Sequence, residues 1–127
     1  MLNPPRVLVV DDERYIRGLL SDLFAVWGCQ ADLAASGTEG LRLFKQKSYD
    51  LVVTDHVMPG GSGLELVENV RNSDPAVGVI MLTASGAELD GHDRRLGFKL
   101  FRKPLQIDHL EAAVKQVLSD RKSEGEN

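Results

Sequence analysis

Short continuous apolar runs alternate along the chain with longer stretches in which apolar residues recur at helical spacing. Val7-Leu8-Val9-Val10, Leu51-Val52-Val53 and Val79-Ile80-Met81-Leu82 are rich in β-branched residues and too short for helices. Unbroken hydrophobicity of this kind is what parallel strands covered on both faces require. Leu100-Phe101 is a weaker run of the same type, and the poorer stretch from Cys29 to Ala35 reads as an edge strand.

Between the runs, Tyr15, Ile16, Leu19, Leu20, Leu23, Phe24 and Trp27 form one apolar helical stripe, with Gly28 where a C-terminal capping glycine belongs. Trp27 lies on that stripe and reads as core. Ser36 and Glu39 have capping-box spacing and open a second helix through Leu41 and Phe44 to about Lys47. A third runs from Leu64 to about Arg71 and stops at the turn cluster Asn72-Ser73-Asp74-Pro75. Ile107, Leu110, Ala113, Val114, Val117 and Leu118 make a last amphipathic helix, with a polar tail over 121–127 expected to fray. The region from Glu88 to about Leu96 contains Gly91 and few apolar residues, so its helix should be short or irregular. The alternation predicts five βα units: an α/β domain over 1–120 with an open parallel sheet, helices on both faces and right-handed crossovers.

A chain of 127 residues, 43% hydrophobic and 27% charged, fits one globular domain that needs no metal or disulfide staple. The net charge of -4 argues against direct nucleic-acid binding, which calls for clustered Lys and Arg. A single cysteine, Cys29, cannot form an internal disulfide. With no apolar run near the roughly 20 residues of a membrane span and no signal-peptide pattern, the expectation is a cytoplasmic protein without membrane contact.

In such sheets ligands bind at the carboxyl ends of the strands, so the residues just past each run matter most. They are Asp11-Asp12, Asp55, Thr83 and Lys103. Any one of these Asp residues is as readily a turn former or helix cap. Together they bring three carboxylates, a hydroxyl and an ammonium to one rim. Clustered carboxylates repel unless a cation neutralises them, and hard oxygen donors suit Mg²⁺ better than Zn²⁺. A carboxylate beside Mg²⁺, with an ammonium and a hydroxyl opposite, fits in-line phosphoryl transfer.

Val9-Val10-Asp11-Asp12-Glu13, the run from Asp55 through Met58-Pro59 to Gly63, Leu82-Thr83-Ala84 and Lys103-Pro104-Leu105 together resemble the receiver domains of response regulators. The likeness spans about residues 5 to 119. It implies a flavodoxin-like fold with strand order 2-1-3-4-5 and Asp55 as phosphoacceptor. It also implies Mg²⁺ held by Asp11, Asp12, Asp55 and the carbonyl of Val57. Lys103 would pair with Asp55 or its phosphoryl group, Thr83 would turn its hydroxyl toward that group, and the Lys103–Pro104 bond would be cis. The implied partners are a sensor histidine kinase or phosphotransfer protein upstream, and an effector protein or fused output domain downstream; homodimer formation is left open. Catalysis would be limited to the domain's own phosphoryl transfer and dephosphorylation, with Val57 and Ser85 at positions that tune phosphoryl lifetime.

Two departures from the family fall together. The position three before Lys103, usually aromatic, is Leu100; Phe101 should face the other way, which leaves Phe98 as a substitute. The stretch from Thr83 to Lys103 is also one or two residues short. The expectation is intact phosphoryl chemistry with a non-standard output face. His56 reads as a partly exposed bystander, His92 and His109 as surface residues, and Arg94-Arg95 as a solvated patch. Of the other readings, an aspartate-nucleophile phosphatase needs Asp-x-Asp after the first strand, which Asp11-Asp12-Glu13 lacks. An FMN binder needs a phosphate loop that is missing. A receiver-like interaction module that is not phosphorylated is the remaining alternative.

Overall fold

The five apolar runs assemble into one parallel sheet in the computed structural model, which describes residues 3–84 and 87–125. In chain order the elements are β1 (Arg6–Val10), α1 (Arg14–Val26), β2 (Gln30–Ala34), α2 (Gly37–Gln46), β3 (Leu51–Asp55), α3 (Gly63–Ser73) and β4 (Gly78–Thr83). They continue with α4 (His92–Leu96), β5 (Lys99–Arg102) and α5 (Ile107–Gly125), and a 3-10 turn at Ala87–Leu89 precedes α4. The strand order is β2-β1-β3-β4-β5, the doubly wound order the resemblance implies.

Alternation along the strands divides the core into two layers. Val7, Val9, Leu51, Val53, Ile80 and Leu82 pack with Leu20 and Phe24 of α1 and with Leu110, Ala113 and Val114 of α5. Leu8, Val10, Val52, Val79 and Met81 pack on the opposite face with Phe44 of α2, with Leu66, Val67 and Val70 of α3, and with Leu89 and Phe98. Burial on both faces is why β1, β3 and β4 are unbroken apolar runs. The edge strand β2 keeps polar residues and leaves Leu33 partly exposed.

Register determines what meets at the carboxyl edge. Val10 pairs with Thr54, Asp55 with Leu82, and Thr83 with Arg102. Asp11, Asp55, Thr83 and Lys103 therefore stand at or just past the ends of four adjacent strands.

Local signals mostly hold. Gly28 follows α1 at φ 81°, and Trp27 packs edge-on against Phe24 with ring centroids 5.5 Å apart. Ser36 Oγ accepts from the Glu39 N–H at 3.1 Å. A full reciprocal capping box occurs instead at Ser62 and Glu65, the entrance to α3. The fourth helical region is short, as its composition predicts: one 3-10 turn and a five-residue helix between Gly91 (φ 85°) and Gly97 (φ 72°). The C-terminus differs from expectation, because α5 continues to Gly125 rather than fraying from Arg121. Arg121 is anchored there, its Nε 3.3 Å from Asp50 Oδ1 and its Nη2 3.8 Å from Asp74 Oδ2. Among the described residues, no helix is long and apolar enough to cross a membrane.

Candidate functional site

One carboxylate oxygen from each of Asp11, Asp12 and Asp55 lies within 4.8 Å of the others. Asp55 ends β3 with its Oδ1 accepting the His56 N–H at 2.8 Å. Asp11 follows β1, and its Oδ1 accepts the Glu13 N–H at 2.8 Å. Asp11 Oδ2 is buried and accepts no hydrogen bond among the described residues. Across the rim, Lys103 Nζ donates to Asp55 Oδ2 at 3.3 Å and lies 3.5 Å from Asp11 Oδ2 and 3.7 Å from Glu13 Oε1. The lysine is positioned by its own N–H, which donates to the Thr83 carbonyl at 2.8 Å, and by the turn after it, where Lys103–Pro104 is cis.

The carboxylates of Asp11, Glu13 and Asp55 thus share one ammonium, with that of Asp12 close by. Burial pushes the Asp11 carboxyl above its ordinary value; the Asp55 and Glu13 charges add to this, against the Glu13 N–H and Lys103. Burial works to lower Lys103, but Asp11, Asp55 and Glu13 outweigh it and hold the ammonium above its ordinary value. The surplus of negative charge, the all-oxygen donor set and the buried Asp11 Oδ2, which accepts no hydrogen bond among the described residues, fit a hard divalent cation such as Mg²⁺.

The loop between β3 and α3 explains its glycines. Gly60 and Gly61 adopt φ 79° and 131°, where other residues are strained. Gly63 opens α3 directly against the end of β3, its N–H donating to the His56 carbonyl at 2.7 Å. A Cβ at Gly63 would overlap the Asp55 carbonyl oxygen and come within 3.0 Å of His56 Cα. Val57, between them, is 70% exposed.

Thr83 is buried at the end of β4. Leu100 pairs with Met81 and packs on the α3 side of the sheet, while Phe101 packs on the α1–α5 side, as alternation requires. Phe98 does not replace the missing ring. It precedes β5, four residues before the Arg102 that pairs with Thr83, or roughly 13 Å along an extended strand. It is buried instead in the core layer that also holds Leu89.

His56 departs from expectation. It is only 7% exposed, with Nε2 3.6 Å from Glu88 Oε1 and Nδ1 without a partner among the described residues. Glu88 belongs to the 3-10 turn that also carries the buried Leu89. The sequence reading also missed two polar neighbours of the acidic pair. Glu13 reaches Lys103, and Arg17 Nη1 donates to the Asp11 carbonyl at 2.8 Å. One turn of helix separates Arg17 from Glu13, the signal that could have found it. His109 is exposed and His92 half-buried, with Nδ1 facing Arg95; Arg95 also lies 3.7 Å from Glu68, so that arginine bridges α4 to α3. Ser85 lies outside the described residues.

Comparison with known proteins agrees with this geometry. The sequence profile of the response regulator receiver domain matches residues 7–115. Sporulation initiation phosphotransferase F of Bacillus subtilis is 37% identical over 116 residues, covering 89% of this chain and 93% of that protein. Three further relatives at 33–37% identity are longer proteins, of whose length the chain spans 25% to 48%. Among solved structures, a CheY-like receiver domain protein from Methanospirillum hungatei matches with a TM-score of 0.91 at 25% identity, over 95% of this chain and 98% of that one. Response regulator protein TrrA of Thermotoga maritima, solved in complex with Mg²⁺-BeF, matches with a TM-score of 0.83 at 35% identity, over 89% and 98%. The chain belongs to the response regulator receiver domain family, the phosphoacceptor signalling domains of two-component systems.

Proposed function

We propose that Asp55 is the phosphoacceptor of this domain and receives the phosphoryl group of a histidine kinase or phosphotransfer protein. The observation that carries the reading is the meeting of Asp55 Oδ2 with Lys103 Nζ at 3.3 Å beside the buried Asp11 Oδ2. The His56 N–H holds Asp55 Oδ1, which leaves Oδ2 as the attacking atom. The new O–P bond forms there as the P–N bond of the donor phosphohistidine breaks. Lys103, already beside Oδ2, meets the phosphoryl oxygens as charge shifts onto them. Asp11, Asp12, Asp55 and the Val57 carbonyl would hold Mg²⁺, which when bound neutralises the same oxygens. Its binding to TrrA together with BeF supports that assignment.

Thr83 supplies a hydroxyl at the end of the neighbouring strand for the phosphorylated state. Val57 brings no general base to the rim, so hydrolysis of the aspartyl phosphate depends on water reaching the pocket. Signalling then passes to a downstream effector or a fused output domain, in the cytoplasm where kinase domains act. Acetyl phosphate with Mg²⁺ tests the assignment directly: phosphorylation that Asp55→Asn lacks is the expected outcome.

A further inference from the structure

The geometry points to His56 as the positioning residue that carries the state of Asp55 to the 87–98 segment; this rests on the reading of Asp55 as phosphoacceptor. Residue 100, on the face shared with Met81, is a leucine with neither ring nor hydroxyl, and Phe98 lies at the far end of β5. A ring at position 100 therefore does not link the pocket to the α4 region, and His56 offers another connection. Its main-chain N–H holds Asp55 Oδ1 at 2.8 Å, and its carbonyl accepts from Gly63 at 2.7 Å, so the residue is fixed to the acceptor and to the start of α3. Its side chain is buried, and Nε2 stands 3.6 Å from Glu88 Oε1 in the 3-10 turn. That separation is just beyond hydrogen-bond length, so a displacement of a few tenths of an ångström makes or breaks the bond. Among the described residues Nδ1 has no partner, and Glu88 is the polar group that faces the ring.

The same two regions also share one apolar cluster. Met58, two residues after His56, belongs with Leu89 and Phe98 to the layer between the sheet and α2, α3 and α4. Adding a phosphoryl group to Asp55 moves charge within one residue of His56. Two ways for the loop to relax reach that segment: a shift of Met58 against the cluster, and a shift of the His56 ring against Glu88. The 3-10 turn is brief, and the five-residue helix after it lies between two glycines at positive φ, so the receiving segment has little helical structure to resist.

The test uses the ¹⁵N-labelled full chain and beryllium fluoride with Mg²⁺, read by amide shifts together with intact mass after acetyl phosphate. In the wild type, shifts are expected at residues 11, 12 and 55–58 and at 87–98. Glu88 is half exposed, so Glu88→Ala leaves the fold in place; it should keep the pocket shifts and the phosphoryl adduct but lose the shifts at 87–98. His56→Leu should likewise lose the shifts at 87–98, and His56→Gln, which keeps an N–H donor near the Nε2 position, should restore them. Shifts at 87–98 as large as wild type in both Glu88→Ala and His56→Leu would overturn the link, as would their absence in the wild type while the pocket responds. No adduct and no pocket response in the wild type would instead overturn the acceptor reading, and the link with it.

Discussion

Lys103 Nζ and Asp55 Oδ2 meet at 3.3 Å although 48 residues separate them in the chain. The ammonium is shared, because Asp11 Oδ2 and Glu13 Oε1 lie within 3.7 Å of it as well. Lys103→Met would strand a carboxylate at Asp11 that is only 1% exposed. Removing one partner of a buried pair is costly, and with the lysine partly exposed the loss is expected to reach up to about 3 kcal/mol in metal-free buffer. Urea unfolding checks this, and an unchanged midpoint would contradict the shared-cation arrangement.

Asp55→Asn has the opposite sign. It removes one charge from a crowded group while Lys103 keeps Asp11, so metal-free stability should rise by about 1 kcal/mol, or roughly 4 °C in Tm. Saturating Mg²⁺ should reverse the order, because only the wild type then gains the full binding free energy. Thermal melts with Mg²⁺ and with EDTA report both signs.

The raised Asp11 carboxyl sets a pH dependence. Its folded-state value lies above the ordinary 3.8, so the folded chain holds that proton more tightly than the unfolded chain. The stability this contributes is fully present below 3.8 and is lost as pH rises through the folded value. In metal-free buffer Asp11→Asn should therefore gain stability relative to wild type as pH increases from 4 to 7. Parallel Tm curves for the two proteins would show that burial of Asp11 has no such effect.

Gly63→Ala tests the close approach of α3 to Asp55. The methyl group would collide with main-chain atoms of Asp55 and His56 rather than with a side chain that could rotate away. Destabilisation of about 3 kcal/mol is expected, at the upper end for overpacking. Phosphorylation should slow as well, because the same shift moves Asp55. Ala at Gly18, which has nothing within 4 Å of an added Cβ, is the control.

The parts that sequence made legible are those governed by short-range rules. Continuous β-branched runs located the buried strands, and the residues following them located Asp11, Asp12, Asp55, Thr83 and Lys103. The low helix propensity around Gly91 predicted the broken fourth helix. Alternation placed Phe101 opposite Leu100. What escaped depends on contacts distant in sequence. His56 looks like a polar loop residue until the turn bearing Glu88 folds over it. Arg121 looks like frayed tail until Asp50 and Asp74 are brought beside it. Phe98 fits as a substitute ring by residue type but not by register, since strand pairing puts it at the other end of β5.

The central claim is that Asp55 takes the phosphoryl group. Incubation with acetyl phosphate, followed by intact mass and mapping of the modified peptide, tests it most directly. The account predicts a single phosphoryl adduct on Asp55 that requires Mg²⁺, is abolished by Asp55→Asn, and is lost by hydrolysis over time. An adduct that persists in Asp55→Asn, or none in the wild type with Mg²⁺ present, would contradict it.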